Sequence, residues 1–361
     1  MRVVQLLGSS AGGVAQHVSQ IASLLQEEGN TDVRIAAPSS LNARFASITP
    51  VLNVEIADRP RPQDLKVIGQ LRVLSKSCDV LHAHGLRAAA LAGIAQLGLS
   101  KSSRARLVVT LHNLPVGGQK VQAISQVLER VVSWTADAVL GVSMDIVERM
   151  KALGAKTQGR ALVPAPQLAS TSRSVTDVRA ELLGQGNTEG GLVILTIARL
   201  APQKGLDTVI EASQRLKTDH IDHVWVVAGD GPLLETLQQK IATTGAPVRL
   251  LGRRTDIPDL LAAADVVVNA AVWEGQPVAV QEALRAGKAI VATMVGGTEE
   301  VTENAALLVP AQRPEIMASA IKDIATDEQV RELFETRALE RAEQLPKPED
   351  VVRSLLRVYV N

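Results

Sequence analysis

Residues 192–217 read LVILTIARLAPQKGLDTVIEASQRLK. An apolar, partly β-branched run, Leu192–Ala198, gives way to a loop from Arg199 to Gly205, and then to a helical pattern over Leu206–Lys217. Strand, short loop and helix in that order are the opening of a β-α-β unit, which joins parallel strands. The loop leaves the carboxyl end of its strand, where open parallel sheets bind their ligands. It carries two cations, Arg199 and Lys204, five apart around Pro202.

The same alternation runs outward in both directions. Upstream, strands are predicted at Val3–Leu7, Asp32–Ala37, Val80–Ala83, Arg106–Leu111 and Ala138–Val142. Helices are predicted at Val14–Glu28, Gln63–Ser77, Leu86–Leu97, Val121–Thr135 and Met144–Leu153. In the first of these helices Val14, Val18, Ile21, Ala22 and Leu25 make one apolar face. Downstream, strands follow at His223–Ala228, Val248–Leu251, Val266–Asn269, Ala289–Thr293 and Ala306–Val309, with helices at Pro232–Thr243, Ile257–Ala263, Pro277–Ala286 and Pro314–Asp327. The stretch from Pro164 to Gly191 is rich in Pro, Ser, Thr and Gly and reads as a linker with one short helix, Thr176–Leu183. The predicted organisation is an α/β domain over 1–165, a linker over 166–191 and a second α/β domain over 192–345. A C-terminal helix over 346–361 has the first domain as a surface to pack back on.

Length supports two domains, since 361 residues exceed most single cores. Aromatics make up 2% of the chain, too few for the stacking platforms of single-strand nucleic-acid binders. Formal net charge is zero, so no global pull toward DNA or membrane follows. Cys78 is the one cysteine, which excludes an intramolecular disulfide and suits a reducing compartment. The most apolar stretch, Ala88–Leu99, falls short of the ~20 residues of a membrane span. The N-terminus lacks a signal-peptide pattern, and a cytoplasmic location is the expectation. Lys101, Arg104 and Arg106 follow that apolar stretch and offer a peripheral membrane contact as one reading, a buried helix and solvated loop as the other.

The candidate chemistry lies on loops after predicted strands. Arg199 and Lys204 suit a pyrophosphate, the first through its bidentate fork and the second as a point charge. Glu274 and Glu282 flank Gly275–Gln281; carboxylates there can accept from sugar hydroxyls. Pro277 fits a first helical turn, leaving the amides of Val278 and Ala279 free to meet an anion. Each charge taken singly also fits a solvated surface. Gly12 and Gly13 close the loop after the first strand, as a ligand contact or a tight turn alone. Gly296 and Gly297 lead to Glu299 and Glu300 after a later strand, as a functional loop or close backbone packing. His112 follows a strand end. His82 and His84 share one strand face, His84 being the one expected to line a crevice. With no carboxylate or cysteine cluster beside these histidines, no zinc site is expected. The chain has no Asp-x-Asp, no Gly-x-Ser-x-Gly and no G-x-x-x-x-G-K-[ST].

Taken together, these residues resemble the family 4 glycosyltransferases of the GT-B fold. Glu274 and Glu282 match that family's E-x7-E motif, and Arg199 with Lys204 its R-x4-K pair. Gly229-Asp230-Gly231-Pro232, Leu251-Gly252-Arg253, the loop at 296–300, Gly12-Gly13 and His112 match further landmarks. The resemblance implies two Rossmann-like parallel-sheet domains facing a central cleft. It implies a retaining, metal-independent transferase, taking a UDP- or GDP-sugar donor and needing no cofactor. Arg199 and Lys204 would neutralise the pyrophosphate, Glu282 accept from the ribose, and Glu274 with the amides of Val278 and Ala279 hold the sugar. The backbone near Arg253 would meet the base; Gly12, Gly13 and His112 would stand near the transfer site. Where the family often has Glu-Gly-Phe-Gly, this chain has Glu274-Gly275-Gln276-Pro277, and Pro277 removes one amide donor. The acceptor, whether small molecule, glycan or lipid-linked, would dock on the first half, around residues 39–62 and 115–119. A sugar-nucleotide epimerase and a non-catalytic nucleotide-sugar-binding protein are the rival readings.

Overall fold

Each half of the chain builds a parallel sheet with helices on its faces. A computed structural model describes residues 1–9, 12–57, 59–114, 118–164, 167–184 and 191–360. The chain divides into two units, Met1–Pro164 with Pro346–Asn361, and Ala165–Leu345. Strands of the first unit are β1 (Arg2–Leu7), β2 (Asp32–Ala37), β3 (Val51–Asn53), β4 (Val80–His84), β5 (Arg106–Leu111), β6 (Ala138–Gly141) and β7 (Gln158–Arg160). Its helices are α1 (Gly13–Glu27), α2 (Asn42–Phe45), α3 (Asp64–Ser77), α4 (Leu86–Gln96), α5 (Gln119–Thr135) and α6 (Met144–Ala152). The second unit runs α7 (Val175–Leu183), β8 (Leu192–Ile197), α8 (Leu206–Thr218), β9 (His223–Ala228), α9 (Leu234–Thr244), β10 (Val248–Gly252), α10 (Ile257–Ala263) and β11 (Val266–Asn269). It continues through α11 (Val278–Arg285), β12 (Ala289–Thr293), α12 (Thr298–Thr302), β13 (Leu307–Val309), α13 (Pro314–Thr326) and α14 (Glu328–Gln344). The last helix, α15 (Pro348–Val360), returns to the first unit.

The sheet orders are β3-β2-β1-β4-β5-β6-β7 and β10-β9-β8-β11-β12-β13, with parallel pairing throughout. Strand order reverses beside β1 in the first sheet and beside β8 in the second, so the loops after β1 and β8 leave from topological switch points. Those loops carry Gly12-Gly13 and Arg199–Lys204.

Alternation along the strands sorts the core of the second unit into two layers. Ile194, Trp225, Val227 and Val268 face α8 and α13. Val193, Leu195, Val226 and Val267 face α7, α10 and α11. With both faces covered, the strands read as continuous apolar runs.

One expectation is corrected here, and one pair of readings is narrowed. The segment read as a linker is part of the second unit: Val178 and Leu182 of α7 are fully buried in its core. Arg179 ties α7 to the carbonyl oxygens of Ala263 and Gly191 and to Asp265, while Ser172 donates to Asp259 through both its amide and its hydroxyl. The one short helix read in that segment, Thr176–Leu183, is α7 (Val175–Leu183), and its apolar face is what seats the segment on the second unit. Residues 185–190 of the supposed linker lie outside the described residues. For Ala88–Leu99 the structure shows the second of the two readings, a buried helix. Ala88, Ala89, Ala92 and Ala95 are buried on α4, which packs against α3 and α5. Arg104 makes a bidentate pair with Asp137 at 2.6 and 2.9 Å, and Arg106 donates to the carbonyl oxygen of Val358. Among the described residues no helix is long and apolar enough to cross a membrane.

Candidate functional site

The second unit gathers most of the singled-out residues on loops at strand carboxyl ends. After β8 the chain makes one 3-10 turn, Pro202–Lys204, and enters α8 through Gly205 in the left-handed region (φ 61°). A side chain at Gly205 would put its Cβ 2.0 Å from the carbonyl oxygen of Ala270, so this loop sits directly on the end of β11. Two further bonds pin it there. The Val272 amide donates to the Gln203 carbonyl at 2.9 Å, and the Gln203 side-chain amide donates to the Trp273 carbonyl at 2.9 Å. The Gly229–Gly231 loop holds it from the other side: the amide of Leu200 donates to the Asp230 carbonyl, and the amide of Leu233 to that of Leu200.

This pinning brings Lys204 and Glu274 together, 70 residues apart in sequence. The Lys204 ammonium donates to Glu274 Oε1 in an ion pair, with the Glu274 side chain 9% exposed. Glu274 is fixed from behind by Gly296 and Gly297. The amide of Gly297 donates to the Glu274 carbonyl at 3.0 Å, and a Cβ on Gly296 (φ 51°) would lie 1.8 Å from that oxygen. The glycine pair after β12 is therefore close backbone packing that positions Glu274.

Arg199 is exposed, and its guanidinium makes no hydrogen bond or ion pair among the described residues. Within this loop it is the cation left over for a ligand. Glu282 lies in the second turn of α11. It is half-buried, has no partner among the described residues, and burial pushes its carboxyl up to about 7. A carboxylate held away from water without a donor is a ready acceptor for a hydroxyl. Helix α11 begins at Val278, with Pro277 extended at its cap (φ −69°, ψ 101°), one residue later than predicted. Val278 and Ala279 are its first two amides, which have no helical carbonyl one turn back. Arg253 is exposed just past β10, where the Gly252 carbonyl accepts from the Gly229 amide.

In the first unit Gly12 and Gly13 open α1 as exposed residues, and Ser10 and Ala11 beside them lie outside the described residues. His112 follows β5 and lies among three more histidines. His84 Nδ1 and His112 Nε2 are 3.2 Å apart, the His82 and His84 rings stack with centroids 4.2 Å apart, and His17 of α1 meets His112 edge-on at 5.1 Å. His82 and His84 do share a face and both are buried, and of the two it is His84 that reaches a cavity, as expected. His84 and His112 line a cavity of about 240 Å³ with Gly8, Leu86 and Asn113. Burial, and then neighbouring histidines, drive the rings toward the neutral form: His17 titrates at about 4 and His82 at about 3, with His84 and His112 well below the usual value.

Sequence reasoning passed over His17, Gln5 and Tyr359. His17 falls inside the apolar stripe of α1 between Val14 and Val18, and that is the signal that marks it as inward-facing. Part of the expected acceptor segment, residues 115–117, lies outside the described residues.

The architecture is the class defined by GT-B proteins. A crystal structure of Anabaena Alr3699/HepE in complex with UDP superposes with a TM-score of 0.82, covering 99% of each chain at 20% identity, which shows a shared fold. Residues 12–166 match the glycosyl transferase 4-like domain, and residues 191–327 match glycosyl transferases group 1. The chain belongs to the family 4-type GT-B glycosyltransferases. Among curated relatives, the Escherichia coli UDP-Gal:alpha-D-GlcNAc-diphosphoundecaprenol alpha-1,3-galactosyltransferase is 32% identical over 133 residues, 36% of this chain and 34% of that one. The alpha-D-kanosaminyltransferase of Streptomyces kanamyceticus is 29% identical over 174 residues, 46% and 44% of the two chains. These matches span about a third to under half of the relatives' length.

Proposed function

We propose that the protein moves a glycosyl group from a nucleoside-diphosphate sugar, held by the second unit, to an acceptor held by the first. Transfer keeps the anomeric configuration and needs no divalent metal. The observation that carries this reading is the pinned loop after β8: it ties Lys204 to a nearly buried Glu274 and leaves Arg199 without a partner among the described residues. A diphosphate meets Arg199 first and then shares the Lys204 ammonium. That frees Glu274 to accept from hydroxyls of the sugar, while Glu282 accepts from the ribose. A uridine nucleotide is the first choice, because the E. coli relative is named for UDP-Gal and the HepE structure holds UDP.

In the step itself the C1–oxygen bond to the β-phosphate breaks and a bond from C1 to the acceptor oxygen forms on the same face. The acceptor proton passes to the departing phosphate oxygen. Negative charge grows on the leaving diphosphate, and the cations of this loop stabilise it there. His112, in the first unit, is assigned to the transfer site on the same reading.

A thermal-shift panel of UDP-, GDP-, ADP- and TDP-sugars, each with and without EDTA, tests the assignment. At a hundred times its dissociation constant the donor stabilises by about 2.7 kcal/mol. With an acceptor in hand, Arg199→Ala is expected to lower kcat/KM by about ten- to a hundredfold, from the loss of one charge-assisted bond. Turnover of the donor to an epimer without any acceptor, or near-normal transfer by a well-folded Arg199→Ala, contradicts the reading.

A further inference from the structure

We propose that Gln5 and His84 are positioning residues for His112. Through a buried hydrogen-bond chain they hold its ring with the proton on Nε2, leaving Nδ1 as an acceptor for a substrate hydroxyl. The inference rests on the assignment of His112 to the transfer site. The chain runs from Thr110 through His82, Tyr359, Gln5 and His84 to His112, with contacts of 2.7, 2.7, 3.1, 2.7 and 3.2 Å. It draws on β1, β4, β5 and the C-terminal helix α15, all of the first unit. Gln5 interrupts the apolar run of β1, and alone there it would be a costly polar group. Gln5, His82, His84, Thr110 and Tyr359 are each at most 4% exposed, so each must find its partner inside the chain.

One amide sets every proton in such a chain. The side-chain carbonyl of Gln5 can only accept, so His84 Nε2, 2.7 Å away, carries the hydrogen. In the neutral ring His84 Nδ1 is then a bare acceptor, and His112 Nε2 donates to it. His112 Nδ1 is left as a lone pair with no hydrogen-bond partner among the described residues, on a half-buried ring that lines the 240 Å³ cavity. In the other direction the Gln5 amide donates to the Tyr359 oxygen, Tyr359 donates to His82 Nδ1, and His82 Nε2 donates to the Thr110 hydroxyl. Turning the Gln5 amide round would move the proton to Nδ1 on all three rings, and His112 would then present a donor. Burial keeps the rings neutral, so each carries one proton and the polarity passes intact along the chain. His17 stands edge-on to His112 at 5.1 Å, outside the chain. A lone pair aimed in advance costs no reorganisation when a hydroxyl arrives.

Long-range proton–nitrogen correlation spectra of the full chain, labelled with ¹⁵N at histidine, read each tautomer directly and need no transfer reaction. His223 is an internal reference of the opposite kind, since its Nδ1 lies 2.8 Å from the Ile221 carbonyl and must donate to it. The expected spectrum has His82, His84 and His112 protonated on Nε2 beside His223 protonated on Nδ1. Gln5→Met removes the carbonyl, so the His112 signal should move to a mixture of tautomers and transfer kcat/KM should fall about tenfold. The hydroxyl belongs to the acceptor if KM for the acceptor rises, and to the transferred sugar if KM for the donor rises. Gln5→Glu keeps an oxygen for His84 Nε2 and is expected to restore both the single His112 tautomer and most of the transfer. UDP affinity, assigned to the second unit, should be the same in both variants; a wild type that fails to bind UDP contradicts the donor assignment and leaves the tautomers readable. If Gln5→Met does not fold, the wild-type spectrum decides alone. A proton on Nδ1 of His84 or His112 in the wild type, or a folded Gln5→Met with an unmoved His112 signal or undiminished transfer, overturns the proposal.

Discussion

Glu282 is the residue whose environment says most about ligand binding. Its carboxyl titrates at about 7 in the folded protein against an ordinary 4.5, because burial disfavours the charge. Folding therefore favours the protonated form. That stabilisation is fully present below pH 4.5 and is lost as pH rises through 7. A ribose hydroxyl donating to it favours the ionised form instead. Donor affinity is thus expected to rise with pH up to about 7 and then level, with protons released on binding below that value. Calorimetry in two buffers of different ionisation enthalpy measures the release. Glu282→Gln should abolish the release, weaken the donor, and melt higher than wild type above pH 7, since no buried charge then forms. A pH-independent donor affinity in wild type contradicts the role given to Glu282. From sequence alone Glu282 was recognisable as one half of a spaced carboxylate pair. Its burial was not, because that depends on the packing of α11 on the sheet.

At the scale of elements, the loop after β8 owes its shape to Gly205. Its left-handed backbone and the Ala270 oxygen 2.0 Å from any added Cβ leave no room for alanine. Gly205→Ala is expected to shift the loop off β11, separate Lys204 from Glu274 and reduce donor affinity at least tenfold, an effect on the order of 1.4 kcal/mol or more. Equilibrium titration of the folded variant measures it, and unchanged affinity would show that the Lys204–Glu274 arrangement is not what binds. Long, periodic elements of both units were readable to within a residue or two: β2, β5, β9, β11, β12 and α10 keep their predicted bounds. The elements missed are short, among them two strands at sheet edges. β7 is Gln158–Arg160 and β3 is Val51–Asn53; each exists because it pairs with the edge of a sheet already built, β6 in one case and β2 in the other. Such strands are made by tertiary context rather than by their own residues. The Lys204–Glu274 pair was beyond reach for a related reason. Both residues were named, but their contact depends on strand order across 70 positions.

On the scale of the whole chain, the second unit is an insertion between two parts of the first. Helix α15 comes back after Leu345 to complete the first unit, with Val351, Val352, Leu355 and Tyr359 buried. Tyr359 joins Gln5 to His82 inside that unit. Tyr359→Phe leaves two buried polar groups short of a partner, at a cost of about 1–3 kcal/mol. The first unit should then melt earlier while the second is unmoved. Differential scanning calorimetry resolves the two transitions when a saturating UDP-sugar raises the second; a fall in both would mean that the units do not unfold separately. The central claim concerns that second unit, which is held to bind a nucleoside diphosphate through its own side chains. Isothermal titration of the full chain with UDP, in EDTA and again in excess Mg²⁺, tests it most directly. The account predicts one site, the same affinity in both solutions, and a drop of about ten- to a hundredfold in Arg199→Ala. Binding that appears only with Mg²⁺, or that is indifferent to Arg199, would contradict it.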